Sequence, residues 1–468
     1  MRLADNYTIE KLGVSRQTLI ERAGNAVFEE IVKKFRGGRV LVCVGKGNNG
    51  EDGKVVAKKL SGIHGFYVSV LNFSLGAMKF FEKKYDIIVD CLFGTGLNRE
   101  ISGVYKTVIE KINESGAFVV SCDIPSGLSS DTGKPLGIAV KANLTVAIQE
   151  YKLGHFINDG PDYCGKVVAK DIGISIWDDD YVLRLNSIDA ARYFIPRKRN
   201  VNKGNFGKVC VMGGSKDFSG SALLAFNALT ALKTGSGYSY LCVPNSLFSV
   251  YALKIPEIII KTAKDAEGFF TFDEKVLKEL TAFNSIVFGM GVGVSEEIYK
   301  IIKYLIQNYK GKLIIDADGI NALAKYGVDI IKDAKCQIAL TPHIGEFARL
   351  TGLKKEYITD NFITVSKEFA KKYGITLLLK SSSSVITDGE RVFLNTTGCA
   401  GLSKGGSGDV LDGIIAGLAA NTDDFTESVA AASFIFGLAG EKVQEETNEF
   451  TMTATDVIAK LPETINGL

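Results

Sequence analysis

The stretch that most constrains this chain is Gly405-Gly406-Ser407-Gly408-Asp409, at the centre of 398–417. Glycines bracket one carboxylate, and a helical pattern starts at once, with Val410, Leu411, Ile414, Ile415 and Leu418 at helical spacing. The glycine loop therefore sits on a helix N-terminus, where free backbone N–H groups and the dipole favour an anion. Bare glycines let a phosphate approach the backbone. Asp409 would repel that phosphate, so its carboxylate suits a base for a hydroxyl on a second substrate. Loop plus base outlines a site that moves a phosphoryl group from a nucleotide to a hydroxyl. The same residues also fit a plain loop with Asp409 as a helix cap.

A chain of 468 residues has room for ~2–3 domains with sizeable cores. Its 46% hydrophobic and 23% charged residues are ordinary for a soluble globular protein, and a net charge of +2 provides no basic field for nucleic acid. The eight cysteines are dispersed without a Cys-x-x-Cys, which reads as buried reduced thiols. His64, His155 and His343 are too scattered for a metal cluster. Met1-Arg2-Leu3-Ala4-Asp5 lacks a secretory apolar core, and the longest apolar run, near 429–440, is too short for a bilayer. A cytoplasmic protein without a membrane partner is expected.

Residues 5–35 read as helix, with Leu19, Ile20, Ala23, Ala26, Val27 and Ile31 in phase. A strand follows, Val40-Leu41-Val42-Cys43-Val44, then a loop from Gly45 to Gly53, then helix through Val55, Val56 and Leu60. Gly45, Gly47 and Gly50 satisfy G-x-G-x-x-G, yet the next strand, near 67–73, lacks the acid that grips a ribose, so a dehydrogenase is disfavoured. Strands ending at Asp90 and Asp123 run into Gly94-Thr95-Gly96-Leu97 and Ile124-Pro125-Ser126-Gly127, and a fourth strand, Leu144–Ile148, leads to Lys152-Leu153-Gly154. In an open parallel sheet the strand C-termini line one crevice, where Asn49, Asp52, Asp90, Asp123 and Ser126 would meet. Such oxygen donors suit a hard cation, a monovalent one included. The alternative is that these acids cap helices or close turns.

Over residues 1–175 the chain resembles the YjeF N-terminal domain family. The resemblance rests on Leu19-Ile20-Glu21-Arg22-Ala23-Gly24, Asn48-Asn49-Gly50-Glu51-Asp52-Gly53, Asp90 with Gly94-Thr95-Gly96-Leu97, Asp123-Ile124-Pro125-Ser126-Gly127-Leu128, Asp131-Thr132-Gly133 and Lys152-Leu153-Gly154. It implies a Rossmann-like three-layer domain that interconverts the R and S epimers of hydrated NADH or NADPH. It also implies potassium at Asn49, Asp90 and Ser126. Substrate contacts would come from Asn48, Asn49, Gly50, Glu51, Asp52, Gly94, Thr95, Gly96, Leu97, Asn98, Arg99, Glu100 and Asp123, with Asp123 catalytic. The family has glycine where Glu51 stands, and a negative side chain there is expected to weaken binding.

Composition shifts at Trp177-Asp178-Asp179-Asp180 and at the basic run Pro196-Arg197-Lys198-Arg199-Asn200, which places the boundary between domains 1–180 and 181–468. The second half alternates strands and helices: strands at 208–212, 238–243, 285–288, 312–315, 337–340 and 376–380, and a helix from about Ser221 to Thr234. That alternation implies a mostly parallel sheet with helices on both faces. His343 follows a strand end directly and is either a cap or a ligand contact. Ser381, Ser382, Ser383 and Ser384 follow Lys380, an arrangement suited to cradling phosphate.

From about 200 to 465 the chain resembles the YjeF C-terminal domain family of ribokinase-like proteins. The matching residues are Lys203-Gly204 with Phe206-Gly207, Gly213-Gly214-Ser215, Pro256-Glu257, Asp316-Ala317-Asp318, Thr341-Pro342-His343 with Gly345-Glu346, Leu379-Lys380 and 405–411. The resemblance implies an ADP- or ATP-dependent dehydratase of hydrated NAD(P)H, with ADP favoured and magnesium on the nucleotide. Lys380, Ser381, Ser382, Ser383, Ser384 and Gly408 would hold the nucleotide. Ser221, Gly291 or Gly293, His343 and Asp409 would hold the hydrated cofactor, with Asp409 catalytic. Ser221, Met290 and the four serines depart from the family's usual alanine, proline and Lys-Gly-Ala-Gly-Thr-like run. Expected partners are small molecules (NADHX, NADPHX, ADP) and a second copy of the chain in a homo-oligomer. The rival reading is a small-molecule kinase with a non-catalytic N-terminal module.

Overall fold

The structure is a computed structural model describing residues 2–72, 77–176, 181–230, 234–253 and 259–468. The 177–180 polar break and the Pro256-Glu257 pair lie outside the described residues. The chain divides into two compact units, Met1–Asp180 and Tyr181–Leu468.

The first unit is a six-stranded parallel sheet: β1 Gly38–Val44, β2 Phe66–Asn72, β3 Ile87–Cys91, β4 Phe118–Cys122, β5 Leu144–Ile148 and β6 Lys166–Lys170. Their spatial order is β2-β1-β3-β4-β5-β6. The order reverses at β1, so the β1 and β3 carboxyl ends open a crevice. Central strands are apolar on both faces because helices cover both. Val42 and Val89 pack with Val27, Ile31 and Val56 on one side, while Leu41 and Ile88 pack with Val108 and Ile112 on the other. Burial of each such side chain contributes about 1.5–3 kcal/mol.

The expected helix over 5–35 is two helices, Arg2–Glu10 and Arg16–Lys34. Gly13 turns the chain with φ +73°, and the Ser15 hydroxyl caps the second helix by accepting from Thr18 N at 3.0 Å. The segment expected as a loop to Gly53 is helical from Asn48, in the helix Asn48–Ser61.

The second unit holds a ten-stranded sheet. Its parallel part is β8 Lys208–Met212, β9 Tyr238–Pro244, β10 Ile259–Ala263, β13 Ser285–Phe288, β14 Lys312–Ile315, β15 Gln337–Leu340 and β16 Thr376–Leu379. An antiparallel pair, β17 Ser384–Thr387 and β18 Val392–Asn395, extends it to the short edge strand β7 Leu183–Arg184. The order is β10-β9-β8-β13-β14-β15-β16-β17-β18-β7, with β11 Asp265–Ala266 and β12 Phe269–Phe270 forming a separate ribbon. Here the order reverses at β8, beside β13.

Helices Ser407–Ala419 and Phe425–Glu446 are buried over most of their surface and form the centre of the core with Val211, Val287 and Ile314. A helix apolar on nearly every side belongs inside a domain. The apolar run near 429–440 is such a segment, and no helix among the described residues is long and apolar enough to cross a membrane.

Candidate functional site

In the first unit a cavity of about 900 Å³ opens at the carboxyl ends of the strands. Asn48, Asn49, Asp52, Gly94, Thr95, Gly96, Leu97, Asn98, Arg99 and Asp123 line it. Gly50, Glu51 and Glu100, expected as contacts, do not. Gly50 is packed inside: a Cβ there would stand 2.0 Å from Gly45 O. Glu51 turns to an outer groove and pairs with Lys54 at 2.6 Å. The reason is helical rotation, since Asn48, Asn49 and Asp52 share a face that Glu51 does not.

Asp123 sits in the left-handed region with φ +67°. Its Oδ1 accepts from Ile148 N at 3.2 Å and forms an ion pair with Lys152 Nζ. Lys152 N donates to His155 Nδ1 at 3.1 Å, so His155 Nε2 is the donor to Asp123 O at 2.9 Å. Burial lowers the His155 pKa to about 4 and keeps the ring neutral. Asp52 is 8% exposed, and Cys122 Sγ approaches its Oδ2 at 3.9 Å. Burial, with the charge of Asp123 adding, raises its pKa to about 8.

The expected cation donors divide. Asp90 and Ser126 are fully buried below the wall, and Asp90 accepts from Ser126 Oγ at 2.6 Å, Ser126 N at 2.8 Å and Ser121 Oγ at 2.9 Å. Asn49 lies on the wall, and neither its side-chain oxygen nor its nitrogen has a hydrogen-bond partner. A buried amide left so is costly unless a ligand or ion completes it.

In the second unit Gly406, at φ +91°, caps Ser407–Ala419 and sets Asp409 in the first turn. Burial raises the Asp409 pKa to about 6, the Asp316 charge adds, and a hydrogen bond donated by the Ser221 hydroxyl and the charge of Lys380 oppose. Gly291, at φ +62°, faces the same spot, since a Cβ on it would stand 3.4 Å from Ser221 Cβ. Lys380 Nζ bridges both Asp316 oxygens at 3.0 Å. Burial would raise the Asp316 pKa, but Lys380 holds it below the usual range. A Cβ on Gly408 would lie 3.3 Å from Lys380 Nζ and 3.5 Å from Asp316 Oδ2, which puts the glycine loop beside the lysine.

His343 is the N-cap of Ile344–Thr351: its Nδ1 accepts from Gly345 N at 2.9 Å and Glu346 N at 3.2 Å. Its backbone pairs with that of Lys380, and its ring stays exposed. Of the four serines, Ser381 and Ser382 are exposed, Ser383 is buried and Ser384 opens β17.

Sequence reasoning overlooked Asp412. It is fully buried one turn beyond Asp409 and accepts from Thr341 Oγ1 at 3.1 Å. Its Oδ2 has no hydrogen-bond partner among the described residues, and burial, with the Asp316 charge adding, raises its pKa well above the usual range. Lys152 was visible only as a motif residue. The available signal for Asp412 was a lone carboxylate inside Val410-Leu411-Asp412-Gly413-Ile414.

A family model described as NAD(P)H-hydrate dehydratase matches residues 209–463, and one described as YjeF-related protein N-terminus matches 16–78 and 74–154. A bifunctional NAD(P)H-hydrate repair enzyme Nnr of Thermofilum pendens is 32% identical, covering 100% of this chain and 95% of the relative. One from Archaeoglobus fulgidus is 35% identical over 97% of this chain and 95% of its own length. Among solved structures, an ADP/ATP-dependent NAD(P)H-hydrate dehydratase from Bacillus subtilis, co-crystallized with ATP/Mg2+, matches with TM-score 0.53 and 24% identity over 62% of this chain and 99% of its own. This last likeness supports the ribokinase-like fold of the second unit.

Proposed function

The chain belongs to the family of bifunctional NAD(P)H-hydrate repair enzymes, and we propose that each unit performs one of that family's two reactions at the crevice described above. It is a nicotinamide nucleotide repair enzyme: the first unit epimerises hydrated NAD(P)H, and the second dehydrates the S form. The kinase reading is not favoured, because relatives of the bifunctional type match along the whole chain.

The observation that carries the dehydratase assignment is Asp409, tuned to about 6 and set beside the Lys380–Asp316 pair. Above that pH its carboxylate accepts the proton of the substrate hydroxyl as the oxygen attacks the terminal phosphorus of the nucleotide. The bond to the leaving nucleotide breaks, and the Ser407–Ala419 N-terminus and Lys380 stabilise the phosphoryl charge. The ring nitrogen then expels phosphate, loss of the neighbouring ring proton restores the dihydropyridine, and ADP yields AMP. Ser221 orients Asp409, Gly291 leaves room for the ring, and His343 stands ready beside Lys380. Lys380, Ser381, Ser382, Ser383, Ser384 and Gly408 would hold ADP. No group of three His, Cys, Asp or Glu among the described residues could hold a metal ion, so no protein cage for magnesium is proposed. Magnesium carried by the nucleotide would neutralise phosphate charge.

For the epimerase, Asp123 would be catalytic, with Asn48, Asn49, Asp52 and 94–99 around the substrate. The unpaired Asn49 amide fits potassium, with Asp90 and Ser126 below it as further oxygen donors. Bound there, potassium would add positive charge to the wall. Cytoplasmic location and a homo-oligomer are part of this reading.

The deciding experiment mixes chemically hydrated NADH with the protein, magnesium and ADP or ATP, and follows the NADH absorbance. Full recovery with ADP, lost in Asp409→Asn, supports both activities. Recovery that stalls partway removes the epimerase, and none with either nucleotide removes the dehydratase.

A further inference from the structure

This inference rests on the epimerase reading of the first unit. Moving a hydroxyl between the two faces of the hydrated ring breaks one C–O bond and forms another. The hydroxyl leaves as water only if an acid protonates it while the ring nitrogen's lone pair closes a C=N bond. Water then adds to the opposite face and gives up a proton. The wall must therefore supply one protonated group and one acceptor.

Few groups qualify as the donor. Asp123 is ion-paired with Lys152 and so supplies the acceptor. Arg16, Lys46 and Arg99 also line the cavity, but they are exposed cations that solvent keeps charged. Both nitrogens of His155 are engaged, with Lys152 N and Asp123 O. Asp52 differs from all of these. It lies on the wall, is nearly buried, and has Cys122 Sγ as its one hydrogen-bond partner among the described residues. An ionised carboxylate held there with neither a protein cation nor a backbone N–H paired to it is costly, whereas a neutral carboxyl is not.

We propose that Asp52 is the general acid of the epimerase, giving its proton to the departing hydroxyl while the Asp123 carboxylate takes the proton of the water that adds from the other face. The event leaves Asp52 ionised and Asp123 protonated. One proton exchanged through solvent resets the pair, and no oxidant or co-reactant is consumed. The reverse conversion uses the two carboxyls in exchanged roles.

The groups facing Asp52 agree with this assignment. Burial raises its pKa to about 8, the charges of Asp123, Glu51 and Asp5 add, and the Cys122 thiol opposes. Cys91, the other thiol close by, is itself raised and uncharged at neutral pH. Asp5, half-buried on the helix Arg2–Glu10, also reaches the wall and is also raised by burial, which makes it the competing donor.

The test uses the full chain and the purified R epimer of hydrated NADH, with R and S forms separated by chromatography. Asp52→Asn should slow catalysed epimerisation by roughly 100-fold or more through kcat, with KM nearly unchanged. Dehydration of the pure S epimer reports that the second unit is intact, and an unchanged Tm that the first unit is folded. Asp52→Glu should restore part of the rate, and wild-type epimerisation should decline as pH rises through about 8. Epimerisation at the wild-type rate in Asp52→Asn overturns the proposal. So does a loss expressed only in KM, or a loss in Asp5→Asn that Asp52→Asn does not share. A wild-type protein that leaves the R epimer at its uncatalysed rate overturns the epimerase reading itself, and this inference with it.

Discussion

Each unit sets a lysine–carboxylate pair at the carboxyl ends of a parallel sheet, Lys152–Asp123 in the first and Lys380–Asp316 in the second. Each also places a second, partly desolvated acid nearby. Asp52 is raised to about 8 and Asp409 to about 6, so near neutral pH the first is mostly protonated and the second mostly ionised. Burial acts in the same direction on both. The neighbours make the difference: acids surround Asp52, whereas Lys380 and the Ser221 hydroxyl offset burial at Asp409. Similar sheets thus prepare an acid in one crevice and a base in the other through the Ser221 hydroxyl and the Lys380 charge beside Asp409, neither of which Asp52 has.

The largest effect should come from Asp409→Asn. Dehydration is expected to fall by about 10²–10⁴-fold, while epimerisation of the R form persists, both read on separated epimers. Loss of both activities would break the division between the units.

The pH profiles should run in opposite directions. A base with pKa about 6 must be ionised, so dehydration of the S epimer should rise roughly tenfold from pH 5 to 7. Epimerisation needs a protonated Asp52 and should fall between pH 7 and 9. Limbs that run together would mean that the two acids are not tuned apart.

The glycines sharpen the contrast further. A Cβ on Gly50 would meet Gly45 O at 2.0 Å, so Gly50→Ala should destabilise the first unit by about 1–3 kcal/mol, seen as a lower Tm. Gly408→Ala brings Cβ only to 3.3 Å from Lys380 Nζ, so Tm should hold while the KM for nucleotide rises. One glycine is needed to fold, the other to admit a phosphate.

The smallest effect belongs to Glu51→Gly. Glu51 lies off the wall in a half-exposed pair with Lys54, so the change should cost about 1 kcal/mol or less and leave the epimerisation rate nearly unchanged. Removal of its charge should shift the alkaline limb slightly downward, because Glu51 helps to raise Asp52. A large gain in rate would restore the expectation that Glu51 hinders binding.

The central strands were legible because their buried faces leave continuous apolar runs, and the loops after them because their glycines and acids interrupt those runs, whereas the half-buried β6 and β10 went unread. The break at Gly13 was hidden by Leu12 and Val14, which look in phase with the helix that follows. Reading 45–53 as loop hid the rotation that turns Glu51 away and Asp52 inward. Lys152, His155 and Asp412 find their roles only across the sheet, through Asp123 and Asp316, and such pairings leave no local period. The β17–β18 hairpin did leave one, Asp388-Gly389 between two short apolar runs.

The lysine pairs have a consequence for life among competing anions. A lysine already latched to a carboxylate shows little net charge, so free phosphate or sulfate gains little by entering either crevice. The same ion pair that sits where a nucleotide would bind therefore makes lone anions weak competitors there.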